Sequence, residues 1–193
     1  MVVDSGVLEA RVTERMGFEP LARALARRTG RPREVADRAA AVVREARRMR
    51  VSPSLLAGVL LTENHRLDST AVSSQGAVGL MQVMPLHAGS YGCASTELRE
   101  VDANICHGAR VLRTLLARSS SVRVALTRYN GCLGGTRTPR CRRYVARVLR
   151  NASSVRREIL RIAARDGAHP GRDSAGGTER WISSSSTSSR RTR

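Results

Sequence analysis

The stretch from Ser52 to Asn64 constrains the fold more than any other part of this chain. Ser52-Pro53 is a helix start, with the serine hydroxyl as N-cap and proline at the first helical position, and the helix should run to about Asn64. On it Leu56, Val59, Leu60 and Glu63 recur at i, i+3, i+4 and i+7, which is one stripe of a helix that faces a core. Three of these side chains are aliphatic and the fourth is a carboxylate. A carboxylate on such a stripe either meets a partner that neutralises it or is held at a raised pKa that the protein uses. Glu63 is therefore the first candidate functional residue.

The same period recurs along most of the chain and predicts an all-α fold. Glu19 to Arg50 read as two basic amphipathic helices broken at Thr29-Gly30-Arg31-Pro32, the second carrying Val35, Ala39, Val42, Val43 and Ala46 at helical spacing. Their arginine-rich faces suit a solvated helix face laid against the next domain, with lipid or nucleic-acid binding as the alternative. Residues 66–92 are rich in Gly, Ser and Thr around one apolar piece, Val78 to Met84, and predict a loop with an embedded short helix. Val101, Ile105, Ala109, Leu112 and Leu116 mark a long helix, and Val122, Leu126 and Tyr129 a short one capped by Ser121. A further helix carries Tyr144, Val145, Val148 and Leu149, and a last one runs from about Ser153 to Arg165. No strand hairpin is evident. Residues 1 to about 18 show no clear period and read as a loose lead-in. The division expected is a basic N-terminal helical extension over 1–50, a catalytic-sized domain over 51–165 and a disordered Ser/Arg-rich tail over 166–193.

Composition narrows the setting. With 193 residues, 41% of them hydrophobic and only 3% aromatic, the chain can bury one sizeable core built from Leu, Val, Ile and Ala. The net charge of +18 is carried by arginine, since lysine is absent. A field this positive attracts polyanions, whether nucleic acid, acidic lipid or the carboxylate-bearing peptides and polymers of a cell wall. Cys93, Cys106, Cys132 and Cys141 lack the C-x-x-C spacing of zinc or redox sites and read as disulfides. Of three connectivities, Cys93 with Cys106 and Cys132 with Cys141 is favoured, because each closes a short loop. Disulfides place a protein outside the cytoplasm, in the periplasm or beyond, although the first 18 residues carry no apolar segment of an export signal. The apolar run Leu55 to Leu61 is too short to span a bilayer. His65, His87, His107 and His169 share no ligand spacing, so neither a metal nor a cofactor is expected.

Downstream of Glu63, the chain reads Ala71, Ser73, Gly76, Ala77, Gly79, Leu80, Met81, Gln82, Met84 and Pro85 in the pattern A-x-S-x-x-G-A-x-G-L-M-Q-x-M-P. This resembles the signature of the soluble lytic transglycosylases, relatives of goose-type lysozyme. Asn104-Ile105 with Gly108 and Leu112, Ala125 to Gly131 with its Tyr129-Asn130 pair, and Arg143-Tyr144-Val145 resemble the family's later motifs. The resemblance runs from about Ser52 to Leu149. It departs at Glu63-Asn64, where the commonest pattern has Glu-Ser. A subgroup with E-N-P-W-L-D-P fits better, though His65, Arg66 and Ser69 replace its Pro, Trp and second Pro.

The resemblance implies a helix-dominated, lysozyme-like domain that acts as a monomer on the glycan strands of peptidoglycan. Glycoside cleavage requires a proton for the leaving oxygen and a stabilised oxocarbenium-like transition state. Glu63 is the implied acid and then base, with Tyr144 to orient it. The substrate's own C6 hydroxyl closes a 1,6-anhydro ring, so proximity within one sugar replaces a second carboxylate. Ser73, Met81, Gln82, Tyr129 and Asn130 are implied to line the groove, Gln82 and Asn130 by hydrogen bonds and Tyr129 by packing. A core position is the alternative for Met81, and Gly76 and Gly79 read as tight backbone positions. Asn104 reads as a structural helix-start residue, and Asn130 to the Gly134-Gly135 turn as a groove rim pinned by the second disulfide. Asp68, Glu97, Glu100 and Asp102 are the other carboxylates to consider. Should Asp68 reach the sugar, water becomes the acceptor and the activity that of a lysozyme. The non-enzymatic alternative is a basic helical module that binds anionic wall or nucleic acid. A cationic Arg66 near Glu63 is expected to lower its pKa.

Overall fold

The computed structural model describes residues 5–132 and 138–167, and the expected tail from residue 168 onward lies outside them. Among the described residues seven α-helices follow one another: α1 Ser5–Met16, α2 Glu19–Thr29, α3 Val35–Met49, α4 Pro53–Glu63, α5 Val101–Ala117, α6 Val122–Tyr129 and α7 Pro139–Gly167. Among the described residues no strand forms, and regular structure between α4 and α5 is limited to a 3-10 turn at Pro85–His87 and isolated bridges.

Helix α4 starts as its sequence requires, with Ser52 Oγ accepting from the Leu55 N–H at 3.2 Å. Its surroundings go further than one apolar stripe. Leu56 to Leu61 are all buried, so α4 is enclosed on every side and runs through the middle of the molecule. It lies along α7, and Gly58 permits the approach: a Cβ there would sit 2.8 Å from the Val148 carbonyl oxygen and 2.9 Å from Ala152 Cβ. A continuous core joins Leu21 and Leu25 of α2, Val35 and Val42 of α3, Leu60 of α4, Leu112 of α5, Leu126 of α6, and Val155 and Ile159 of α7. The helices within residues 5–50 thus share the core of those within 51–165.

Three local expectations are corrected. The supposed lead-in forms α1, held by a fully buried carboxylate. Glu9 accepts from the Ser54 N–H at 2.6 Å, from the Ser52 and Ser54 hydroxyls at 2.9 Å each, and from Arg156 Nε at 3.2 Å. It therefore supplies negative charge to the N-terminus of α4, where the helix dipole favours it. The two expected C-terminal helices are one 29-residue helix, α7. Asn151 and Ser154 resemble a helix break, but their side chains bond outward. Asn151 Nδ2 donates to Thr62 Oγ1 at 3.0 Å and Ser154 Oγ accepts from Arg28 at 2.5 Å. Side chains engaged in this way do not compete for the helix backbone. Finally, Val78 to Met84 forms no helix. Val78 and Val83 exchange both backbone hydrogen bonds, at 2.9 and 3.0 Å, around a turn in which Gly79 (φ 76°) and Gln82 (φ 48°) are left-handed.

Both expected disulfides are present, Cys93–Cys106 and Cys132–Cys141. Among the described residues no helix is long and apolar enough to cross a membrane.

Candidate active site

Because α4 is enclosed and ends at Glu63, its last side chain leaves the core at the floor of an open cleft of about 330 Å³. Asn64, His65, Arg66, Asp68, Ala71, Ser73 and Gln82 line it around Glu63. Burial disfavours the ionised carboxyl and lifts Glu63 from 4.5 to about 7, against the opposing effect of a hydrogen bond from Tyr144. Arg66 is exposed on the cleft, and the lowering expected of it is not among the influences on Glu63, which are burial and the Tyr144 hydroxyl.

Tyr144 on α7 donates its hydroxyl to Glu63 Oε1 at 2.5 Å, across the α4–α7 contact. Its own pKa is raised by burial and then by the nearby Glu63 and Tyr129, so it remains a donor. Tyr129, at the end of α6, is raised by burial and then by Glu63, and its hydroxyl donates to the Met81 carbonyl at 2.9 Å. The two tyrosines thus hold the acid from one side and the loop beside it from another.

That loop is fixed from two directions. Asn64, the C-cap of α4, donates to the Asp68 and Gly79 carbonyls at 2.5 and 3.2 Å and accepts from the Asp68 N–H at 3.1 Å. Asn104, fully buried in the first turns of α5, accepts from the Met81 N–H at 2.7 Å and donates to the Val78 and Leu98 carbonyls at 2.9 and 2.7 Å. Sequence reasoning assigned Asn104 to a helix start and noted Asn64 only as a departure from a pattern. Their side chains instead tie the cleft loop to the two helices on either side of it.

The remaining expected groups divide. Ser73 lines the cleft while its hydroxyl accepts from the Ala77 N–H at 3.0 Å. Gln82 lines it too, with one amide N–H spent on the Gly79 carbonyl at 2.9 Å. Asn130 is half-buried beside the Cys132–Cys141 bridge, 3.5 Å from Cys132 Sγ. Met81 does not line the cleft with its side chain. It is fully buried against Gly108, where an added Cβ would lie 2.5 Å from Met81 Cβ. The rim expected at Gly134-Gly135 lies outside the described residues.

Of the four other carboxylates considered, Asp68 alone is on the cleft wall. It is exposed, and hydrogen bonds from the Thr70 hydroxyl and N–H, at 2.7 and 2.9 Å, hold its pKa down. Asp102 instead pairs with Arg44 of α3, and Glu97 accepts from the Arg99 N–H. A protonatable Glu63 and an ionised Asp68 therefore face one cleft with different chemistry.

Fold and site together define a helical, lysozyme-like domain with one proton-active carboxyl at the end of its central helix. The chain belongs to the Transglycosylase SLT domain family, which it matches over residues 41–146. It is 42% identical over 81 residues to the transglycosylase of Enterobacteria phage PRD1, a match covering 42% of this chain and 29% of that protein. Its fold is similar to that of an inactive mutant of lytic transglycosylase Slt from Pseudomonas aeruginosa, with a TM-score of 0.57 and 25% identity over 82% of this chain and 31% of the other. The chain thus spans under a third of the length of either relative.

Proposed function

We propose that this chain is a peptidoglycan lytic transglycosylase, cleaving the β-1,4 bond between N-acetylmuramic acid and N-acetylglucosamine and leaving a 1,6-anhydromuramyl end. The observation that carries this reading is Glu63, with a pKa near 7 and Tyr144 bonded to one oxygen. Protonated Glu63 gives its proton to the glycosidic oxygen as the C1–O bond breaks. The resulting carboxylate then takes the proton of the muramic C6 hydroxyl, whose oxygen bonds to C1. No water is consumed, and the two products together have the atoms of the substrate. Arginine-rich surface would hold the protein against anionic wall, and the two disulfides suit a periplasmic or extracellular setting.

Asp68 supports a second reading. An ionised carboxylate in the same cleft is what a hydrolase uses to activate water or stabilise the sugar cation. Its anchorage to Thr70 argues for a wall residue that shapes the loop. Mass spectrometry of muropeptides released from purified sacculi separates the two: anhydro products, one water lighter, are expected, and exclusively reducing ends assign hydrolysis. Glu63→Gln should lower release by about 10²- to 10⁴-fold with an unchanged circular dichroism spectrum. A Glu63→Gln protein with full activity overturns the assignment.

A further inference from the structure

Among the described residues that line the cleft at Glu63, Arg66 alone carries a permanent positive charge. It is exposed, and within the described structure its guanidinium makes no hydrogen bond or ion pair. Its place is nevertheless fixed. The Leu67 N–H donates to the Asn64 carbonyl at 3.1 Å, which makes His65 and Arg66 the central pair of a tight turn directly after α4. Leu67 closes that turn in the left-handed region, at φ 55°, with its side chain buried. A bulky residue holds this conformation only where its surroundings enforce it. Arg38 of α3 does so, donating to the Leu67 carbonyl through Nε and Nη2 at 3.2 and 3.0 Å. The turn that presents Arg66 is thus clamped by the core on one side and by α3 on the other.

Neither acidic group of the cleft takes up this charge. Glu63 is governed by burial and the Tyr144 hydroxyl. Asp68 is bonded to Thr70, and the cations that act on it are Arg31 and Arg38. Arg66 is left for what enters the cleft, and a guanidinium presents its donors as a planar fork that matches an oxyanion. N-acetylglucosamine has no ionised group. Muramic acid bears a lactyl arm that ends either in a free carboxylate or in a peptide with carboxylates of its own. A muramic unit held for proton transfer at Glu63 lies in the cleft that Arg66 also lines, and three residues apart the two Cα atoms are separated by at most about 11 Å. Position 66 is also where this chain departs from the E-N-P-W-L-D-P pattern, setting a cation where that pattern has an indole.

We infer that Arg66 selects the substrate by pairing with a carboxylate on the lactyl arm of the muramic unit at the scissile bond, the arm's own or that of its attached peptide. The inference rests on the substrate class proposed above. Its test uses full-length protein on peptide-bearing strands, on strands stripped by an amidase, which frees the lactyl carboxylate, and on both after their carboxylates are capped as amides. KM and kcat are measured on each, with Kd for soluble fragments. Arg66→Gln should raise KM and Kd about three- to tenfold on uncapped strands, the range from a good exposed ion pair to a charge-assisted pair in a cleft. The loss should fall chiefly in KM, because the pair forms in ground state and transition state alike. Capping should abolish the difference between variant and wild type, since an interaction is lost once whichever partner is removed. Arg66→Lys, which keeps the charge but not the fork, should recover part of the loss. An effect on stripped strands assigns the lactyl carboxylate, and one confined to peptide-bearing strands assigns the peptide. An equal rise on capped and uncapped strands, or no rise on any, overturns the inference. Strands cut only to reducing ends with the carboxylate dependence intact refute the transglycosylase reading alone; anhydro products with Arg66→Gln at the wild-type KM refute this one alone.

Discussion

Glu63 owes its chemistry to two opposing influences of unequal size. Burial at the end of an enclosed helix favours the neutral acid, whereas the Tyr144 hydroxyl favours the anion, and burial wins, leaving the carboxyl near 7. A general acid with this pKa should give a kcat/KM that is level below about pH 7 and falls about tenfold per unit above it. In Tyr144→Phe the anion loses its hydrogen bond and the neutral form becomes relatively more favourable, so the alkaline limb should move upward. A hydrogen bond to a charged group is worth about 1.5 kcal/mol, which corresponds to a shift of about one unit. The maximal rate should fall at the same time, because the carboxyl is no longer oriented. Rates of sacculus solubilisation between pH 5 and 9 check both effects; a limb that moves downward would mean that Tyr144 stabilises the neutral acid instead. Glu63 was legible in the sequence through helical period alone. Tyr144 was not, since 81 residues separate the partners and only the family pattern pointed to the tyrosine.

The elements differ in how far local sequence determines them. Helices α2 to α6 follow from apolar period, helped at α4 and α6 by the Ser52 and Ser121 caps, because their hydrogen bonds close within the segment. The cleft loop does not, because its shape depends on Asn104, 23 to 26 residues from the backbone groups it holds. The apolar run Val78 to Met84 therefore resembled a helix, while the left-handed residues at its turn made it a tight bridge. Gly79 is where this dependence is most exposed. Its φ of 76° suits glycine, and a Cβ would come 2.4 Å from Asn104 Nδ2 and 2.8 Å from the Leu98 carbonyl oxygen. Gly79→Ala should therefore add left-handed strain of about 1–2 kcal/mol to the cost of displacing a buried, fully bonded asparagine, itself about 1–3 kcal/mol. Urea denaturation should register a loss of about 2–5 kcal/mol, together with reduced activity, since the same loop carries Gln82 and Ser73 on the cleft wall. A stable and fully active Gly79→Ala protein would show that the loop tolerates another path. Met81 was ambiguous for a related reason: whether a methionine lines a cleft or a core depends on Gly108, which leaves it room on another helix.

At the scale of the molecule, the recognisable family region is smaller than the folding unit. The match covers residues 41–146, yet Leu21, Leu25 and Val35 lie before it and Val148, Val155 and Ile159 after it, all within the same core. Arginine stems cover apolar surface while their heads stay in water, so the sequence suggested helices laid against the next domain, whereas their apolar side chains enter its core. Each of those six side chains contributes about 1.5–3 kcal/mol on burial, and their total is comparable to the roughly 5–15 kcal/mol by which a whole domain is stable. Glu9 adds a further dependence. Without α1, the N-terminus of α4 loses its carboxylate, in the helix pair that places Glu63 against Tyr144. A fragment restricted to residues 41–146 should therefore show no cooperative thermal transition by circular dichroism and no activity. A chain lacking residues 1–18 should fold with a melting temperature lower by more than about 5 °C, because the N-terminus of α4 loses the carboxylate that Ser52 and Ser54 donate to; a hydrogen bond to a charged group is worth about 1.5–3 kcal/mol, and each kcal/mol shifts a domain of this size by about 2–4 °C. Should the 41–146 fragment melt cooperatively, the flanking helices would be accessory to a smaller, independent core, and the route from α1 through Glu9 to the position of Glu63 would be broken.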